Sequence, residues 1–198
     1  GERIKNRRKE LEEQRKELEK QQKERERQEA EHRRKAEKQQ QEVQQVEQDY
    51  AEYSDASSKE TYIKTHSTLR LKMWERQAEA NHADAAFLAG KCHQEGFLTK
   101  ENTEKAIHFY NKAIDNGNNK ALQNLGLIHE EQGRLQDAYQ CFKTSAERGN
   151  HKGMWGIQDL VKNELARKQD NKDRLTTLEA ERDAHMKALE RERTHQAK

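Results

Sequence analysis

From Glu2 to Tyr53 the chain contains neither glycine nor proline, and nearly every residue is Glu, Lys, Arg, Gln or Ala. These side chains lose least on entering a helix, so helix is almost forced over this run. Acid-first pairs four residues apart reinforce it: Glu12 with Lys16, Glu19 with Lys23, Glu29 with Arg33 and Glu31 with Lys35, each adding roughly 0.2–0.5 kcal/mol. At a rise of about 1.5 Å per residue the run would make a rod on the order of 75 Å long.

Ile4, Leu11 and Leu18 recur every seven residues. The same register leads on to Val46 and Tyr53, with Val43 and Tyr50 on the companion row. These seven are the candidate coiled-coil contacts. Between about Gln22 and Gln39 the seam is polar, which weakens a self-sufficient homodimer and leaves a lone helix and a coiled coil both open.

A chain this polar cannot all be packed core. Only 30% of its 198 residues are hydrophobic and 38% are charged, whereas an average domain is close to half apolar. No stretch approaches the roughly 18 apolar residues of a membrane span. The N-terminus also lacks the apolar core of a secretion signal, although a removed signal would leave a chain starting like this one. Lys and Arg number 39 against 37 Asp and Glu. That balance argues against nucleic-acid binding, which relies on an excess of positive charge on one face. Only Arg3, Lys5, Arg7, Arg8 and Lys9 form a local basic run.

The apolar residues concentrate after a Ser- and Asp-containing hinge at residues 54–58, and here the chain repeats itself. Residues 106–117 align with 138–149 at an offset of 32, and Trp74 to Asn81 aligns with Tyr110 to Gly117 at an offset of 36, Asn standing for the closing Gly. The segments between them align as well. Ala86, Leu122 and Met154 are equivalent, as are Ala89, Leu125 and Ile157, then Cys92, Ile128 and Leu160, a buried stripe on the first helix of each hairpin. The third copy has Gln158 where the others have Gly90 and Gly126, and it shows no recognisable second helix, so it reads as a cap running on into a C-terminal arm. That arm has Leu175, Leu178 and Leu189 at helical spacing, with a break marked by Asp170, Asn171 and Asp173.

The pattern of small residue, Leu or Ala followed by Gly, a second Gly at Gly96 or Gly133, then an Ala-aromatic helix closing on Gly resembles the Sel1-like branch of the tetratricopeptide superfamily. The first copy, with its longer Gly96-Phe97-Leu98-Thr99-Lys100 connection, is the more Sel1-like, and the second is closer to a plain tetratricopeptide repeat. The resemblance covers about residues 70–162. With it, the fold expected is all-α: a short α-solenoid of helical hairpins with a long N-terminal charged helix and a C-terminal helical arm. The organisation expected is residues 1–58 charged helix, 59–166 repeat domain and 167–198 charged helix.

The resemblance implies a groove lined by the first helix of each repeat. Its positions here are Phe87, Lys91 and Gln94, then Lys120, Gln123, Leu127 and Glu130, then Lys152, Trp155, Asp159 and Lys162. Phe87 and Trp155 would be exposed aromatics among charges, the usual composition of an interface hot spot, although the C-terminal arm could cover Trp155. No catalytic motif accompanies them. Gly90-Lys91 lacks the Ser or Thr of a phosphate loop, and no nucleophile elbow occurs. His93 and His129 occupy equivalent, packed slots, and Cys92, His93, His129 and Cys141 have no recognised zinc spacing. Cys92 and Cys141 behave as small apolar residues, and two unpaired thiols favour a reducing, cytoplasmic setting over a periplasmic or secreted one.

No enzyme, cofactor or metal is therefore implied. The function expected is a non-enzymatic adaptor that docks a protein partner within a larger complex, with homo-oligomers through the charged helices compatible with the seam. An architectural subunit of a filament or machine is the first alternative, and a nucleic-acid-associated protein using the basic N-terminus is the second.

Overall fold

In a computed structural model, residues 1–167 and 172–196 are described. The described residues form helices and no strand. The chain divides into two units, residues 1–45 and 46–198. The first unit lies within a single helix, α1 (Glu2–Asp55). Ion pairs decorate it at the expected spacing: Lys16 to Glu12 at 3.3 Å and Lys35 to Glu31 at 2.7 Å. Ile4, Leu11 and Leu18 are exposed along it.

The second unit takes the last turns of α1 and adds α2 (Lys59–Lys64), α3 (Thr68–Glu79), α4 (Ala83–Glu95), α5 (Thr103–Asp115), α6 (Lys120–Glu131), α7 (Leu135–Glu147), α8 (Lys152–Arg167) and α9 (Lys172–Gln196). The hinge at residues 54–58 is a helix end and a new cap: α1 stops at Asp55, and the Ser58 side chain accepts from the Thr61 N–H to start α2. Consecutive helices from α3 to α9 pack on one another, and α6 also touches α8. This is a short α-solenoid of helical hairpins. The first helices of the repeats are α4, α6 and α8, and the second helices α3, α5 and α7 end at equivalent left-handed residues, Asn81 (φ 67°), Gly117 (φ 103°) and Gly149 (φ 85°). Glycine is favoured there because a Cβ is strained at positive φ, and asparagine is the side chain that tolerates it best.

The core is built from the expected stripe, with Ala86, Ala89, Cys92, Leu122, Leu125, Ile128, Ile157 and Leu160 buried and Met154 half-buried. Two close approaches lock the hairpins. A Cβ on Gly90 would stand 2.7 Å from the Tyr110 ring, and one on Gly126 would stand 2.4 Å from the Phe142 ring. Tyr110 and Phe142 are equivalent, as are the two glycines.

Three sequence expectations need correction. Val46, Tyr50 and Tyr53 are not seam residues of a coiled coil: with Asp49 they form a stripe on the last turns of α1, and Val46, Asp49 and Tyr53 are buried. The compact unit accordingly begins at Val46, so the boundary expected at residue 58 falls after a packed segment. The C-terminal arm is not a simple extension of α8 either. α9 packs against α8, and its Leu178 is buried with Tyr139, Phe142, Ile157, Leu160 and Val161. Of the break expected at Asp170, Asn171 and Asp173, the first two lie outside the described residues and Asp173 lies in the first turn of α9.

Candidate functional site

The face formed by α4, α6 and α8 carries the groove positions, and the structure divides them. At the first repeat the face is closed. Phe87 is only 4% exposed because Tyr50 and Tyr53 of α1 both meet its ring edge-on, with centroids 5.7 Å away in each case. Phe87 is therefore core and not an exposed anchor, since one turn of α1 covers it. That turn is held by Asp49, which accepts from the Trp74 indole N–H at 2.8 Å and from Arg70 at 3.3 Å. Trp74 and Asp49 are both buried, so the indole N–H and the carboxylate satisfy each other where water cannot.

Two further positions are spent internally. Gln94 accepts the Tyr110 hydroxyl at 2.6 Å, and Glu130, 9% exposed, accepts from Asn163 at 2.8 Å. Neither is presented as a groove residue should be, because each satisfies a polar group of a neighbouring helix.

At the second and third repeats the face is open. Lys120, Leu127, Lys152, Asp159 and Lys162 are exposed, and Lys91 and Gln123 are half-buried. Trp155 is 60% exposed and Leu127 39%, so the C-terminal arm does not cover the tryptophan. Trp155, Gln123 and Phe87 are equivalent positions of successive repeats; α1 covers the first of them and leaves the last bare. Lys152 and Trp155 stand three apart and Gln123 and Leu127 four apart, which puts each pair on one helix face.

Between these helices lies a hollow of about 350 Å³, lined on one side by Tyr53 and Lys59 and on the other by Lys91, Lys120, Gln123 and Lys152. Lys59 was invisible as a site residue in the sequence, because its place depends on how α2 folds back after the Ser58 cap. Its ammonium donates to the Ser54 and Ala56 carbonyls at 2.7 and 2.8 Å and stands 5.4 Å from the centre of the Tyr53 ring. Lys120 similarly stands 5.2 Å from the Tyr50 ring centre.

The histidines pack as structural residues. His93 is buried, stacks on Phe109 with centroids 5.6 Å apart, and its Nε2 lies 2.6 Å from Glu75. His129 is half-buried, and burial lowers its pKa below the usual histidine value. Burial pushes the Cys92 thiol up to about 12 and the Cys141 thiol up to about 11, and both are free. Among the described residues no three His, Cys, Asp or Glu side chains group as a metal site, and no helix is long and apolar enough to cross a membrane.

A family model described as the Sel1 repeat matches residues 83–118, which span α4, α5 and the turn between them. The crystal structure of a Sel1 repeat protein from Oxalobacter formigenes is similar at 24% identity and a TM-score of 0.43. The match covers 62% of this chain and 52% of that one, so the chain spans about half the length of that structure. No curated protein matches. Sel1-like repeats are a non-catalytic fold that mediates protein–protein interaction. The α4–α5 hairpin thus matches the Sel1 repeat, and α6 and α7 repeat its glycine–aromatic contact and its left-handed helix end.

Proposed function

We propose that this protein is a non-enzymatic adaptor that docks a polypeptide partner on the open half of its repeat face, over Leu127 and Trp155. The observation that carries this reading is the 60% exposure of Trp155 at a position whose first-repeat equivalent, Phe87, is closed over by the protein's own aromatics. An exposed tryptophan on α8 and an exposed leucine on the contacting helix α6, with Lys120, Lys152 and Asp159 exposed on the same two helices, offer the apolar and charged groups of a protein interface. Residues 1–45 serve as spacer or assembly handle in this reading. Ile4, Leu11 and Leu18 are exposed along that helix, and its intrahelical ion pairs support it without a partner.

The test is affinity enrichment from the source cells with the full chain and its Trp155→Ala variant. Proteins that dock on this face are retained by the parent and lost from the variant, while the melting temperature stays unchanged because the side chain is mostly in solvent. A variant that retains every protein the parent retains refutes docking at this face.

A further inference from the structure

The hollow beside the docking face has a one-sided charge. Lys59, Lys91, Lys120 and Lys152 line it, and among the described residues no Asp or Glu does. Lys91 is paired with Glu95 at 2.7 Å. Among the described residues Lys59, Lys120 and Lys152 have no carboxylate partner: Lys59 is held by two backbone carbonyls, and Lys59 and Lys120 each lie over a tyrosine ring. A neighbouring hollow of about 470 Å³ shares Lys120 and adds Arg148, whose guanidinium donates to Asn119, and the Asp84 on its wall is occupied in accepting from Asn118. Three ammonium groups without a carboxylate, drawn from α2, α6 and α8 around one depression, leave a surplus of positive potential for an incoming anion to neutralise.

The docking reading specifies the kind of anion. A polypeptide that covers Trp155 presents its negative charge as carboxylate side chains, which the ammonium groups meet in charge-assisted hydrogen bonds.

We infer that the hollow receives an acidic polypeptide segment whose carboxylates meet Lys59, Lys120 and Lys152. The inference rests on the docking reading and names the partner's chemistry, an acidic stretch adjoining the apolar residue that covers Trp155.

The experiment measures fluorescence anisotropy of the full chain with three labelled probes: a short Glu- and Ser-containing peptide with one central Leu, the same peptide with Gln for every Glu, and a short oligothymidine. The acidic peptide is expected to bind at least about tenfold more tightly than the Gln peptide, and to lose at least about tenfold in affinity on Lys120→Gln/Lys152→Gln. Both lysines are exposed, so the double variant should melt with the parent; if it does not, Lys152→Gln alone is read against the same expectation of a loss. Equal binding of the two peptides, no binding of either, or tighter binding of the oligothymidine overturns the inference. None of these results bears on the Trp155→Ala enrichment, so failure of the charge assignment is distinguishable from failure of the docking reading.

Discussion

Phe142 fills the space that a side chain on Gly126 would occupy, its ring 2.4 Å from the position of the missing Cβ. Tyr110 stands in the same relation to Gly90 one repeat earlier. Each hairpin therefore closes by sinking an aromatic of its second helix against bare backbone of its first, and the pairing fixes the distance between the two. Gly126→Leu is expected to cost about 3 kcal/mol or more, since Phe142 is fully buried and cannot swing aside. Thermal or urea unfolding checks this, and an unaltered midpoint would count against the hairpin alignment.

The last turns of α1 belong with the repeats. Tyr53→Ala is expected to destabilise the protein by about 3 kcal/mol, because it empties the space beside Phe87 that the tyrosine ring fills. Were Tyr53 a coiled-coil contact instead, the substitution would lower the apparent mass in light scattering and leave a monomer's melting temperature unmoved.

His129 gives stability a pH dependence. Its folded pKa lies below the unfolded value because burial disfavours the charged ring, so the unfolded chain binds the proton more readily. Its contribution is complete above the unfolded histidine pKa and is lost as pH falls below that value and through the folded one. Melting temperatures measured from pH 7.5 downward should fall through this window, and His129→Leu should flatten that part of the profile. An identical profile in the variant would assign the loss to other groups.

The thiols should be inert in the folded protein. With Cys92 pushed up to about 12 and Cys141 up to about 11, neither supplies appreciable thiolate near neutrality. Mass spectrometry after iodoacetamide treatment at pH 7.5 should show little alkylation, Cys141 ahead of the more buried Cys92, and complete reaction in denaturant. Rapid native labelling of Cys92 would contradict its burial.

Sequence periodicity made the repeats legible because their signals are local: the stripe through Leu122, Leu125 and Ile128, the paired glycines, and the Asn or Gly at helix ends each constrain a few adjacent residues. The closure of the first repeat was not legible. Phe87 looked like Trp155 in the alignment, and only the tertiary placement of Tyr50 and Tyr53, more than thirty residues upstream, separates a core ring from an exposed one. Asp49 gave no signal at all within a run of charged residues, since its burial depends on Trp74 and Arg70 arriving from α3. The seventh-residue register through α1 likewise joined Leu18 to Val46 as one seam, although the first is exposed and the second is core.

The docking claim is tested most directly by placing a photoreactive amino acid at position 155 of the full chain, with Gln140, exposed on α7, as the control position. Irradiation in the source cells should give a discrete adduct with another polypeptide from position 155 and none from position 140. No adduct at 155, or the same adducts from both positions, would contradict the assignment of the open repeat face as the partner site.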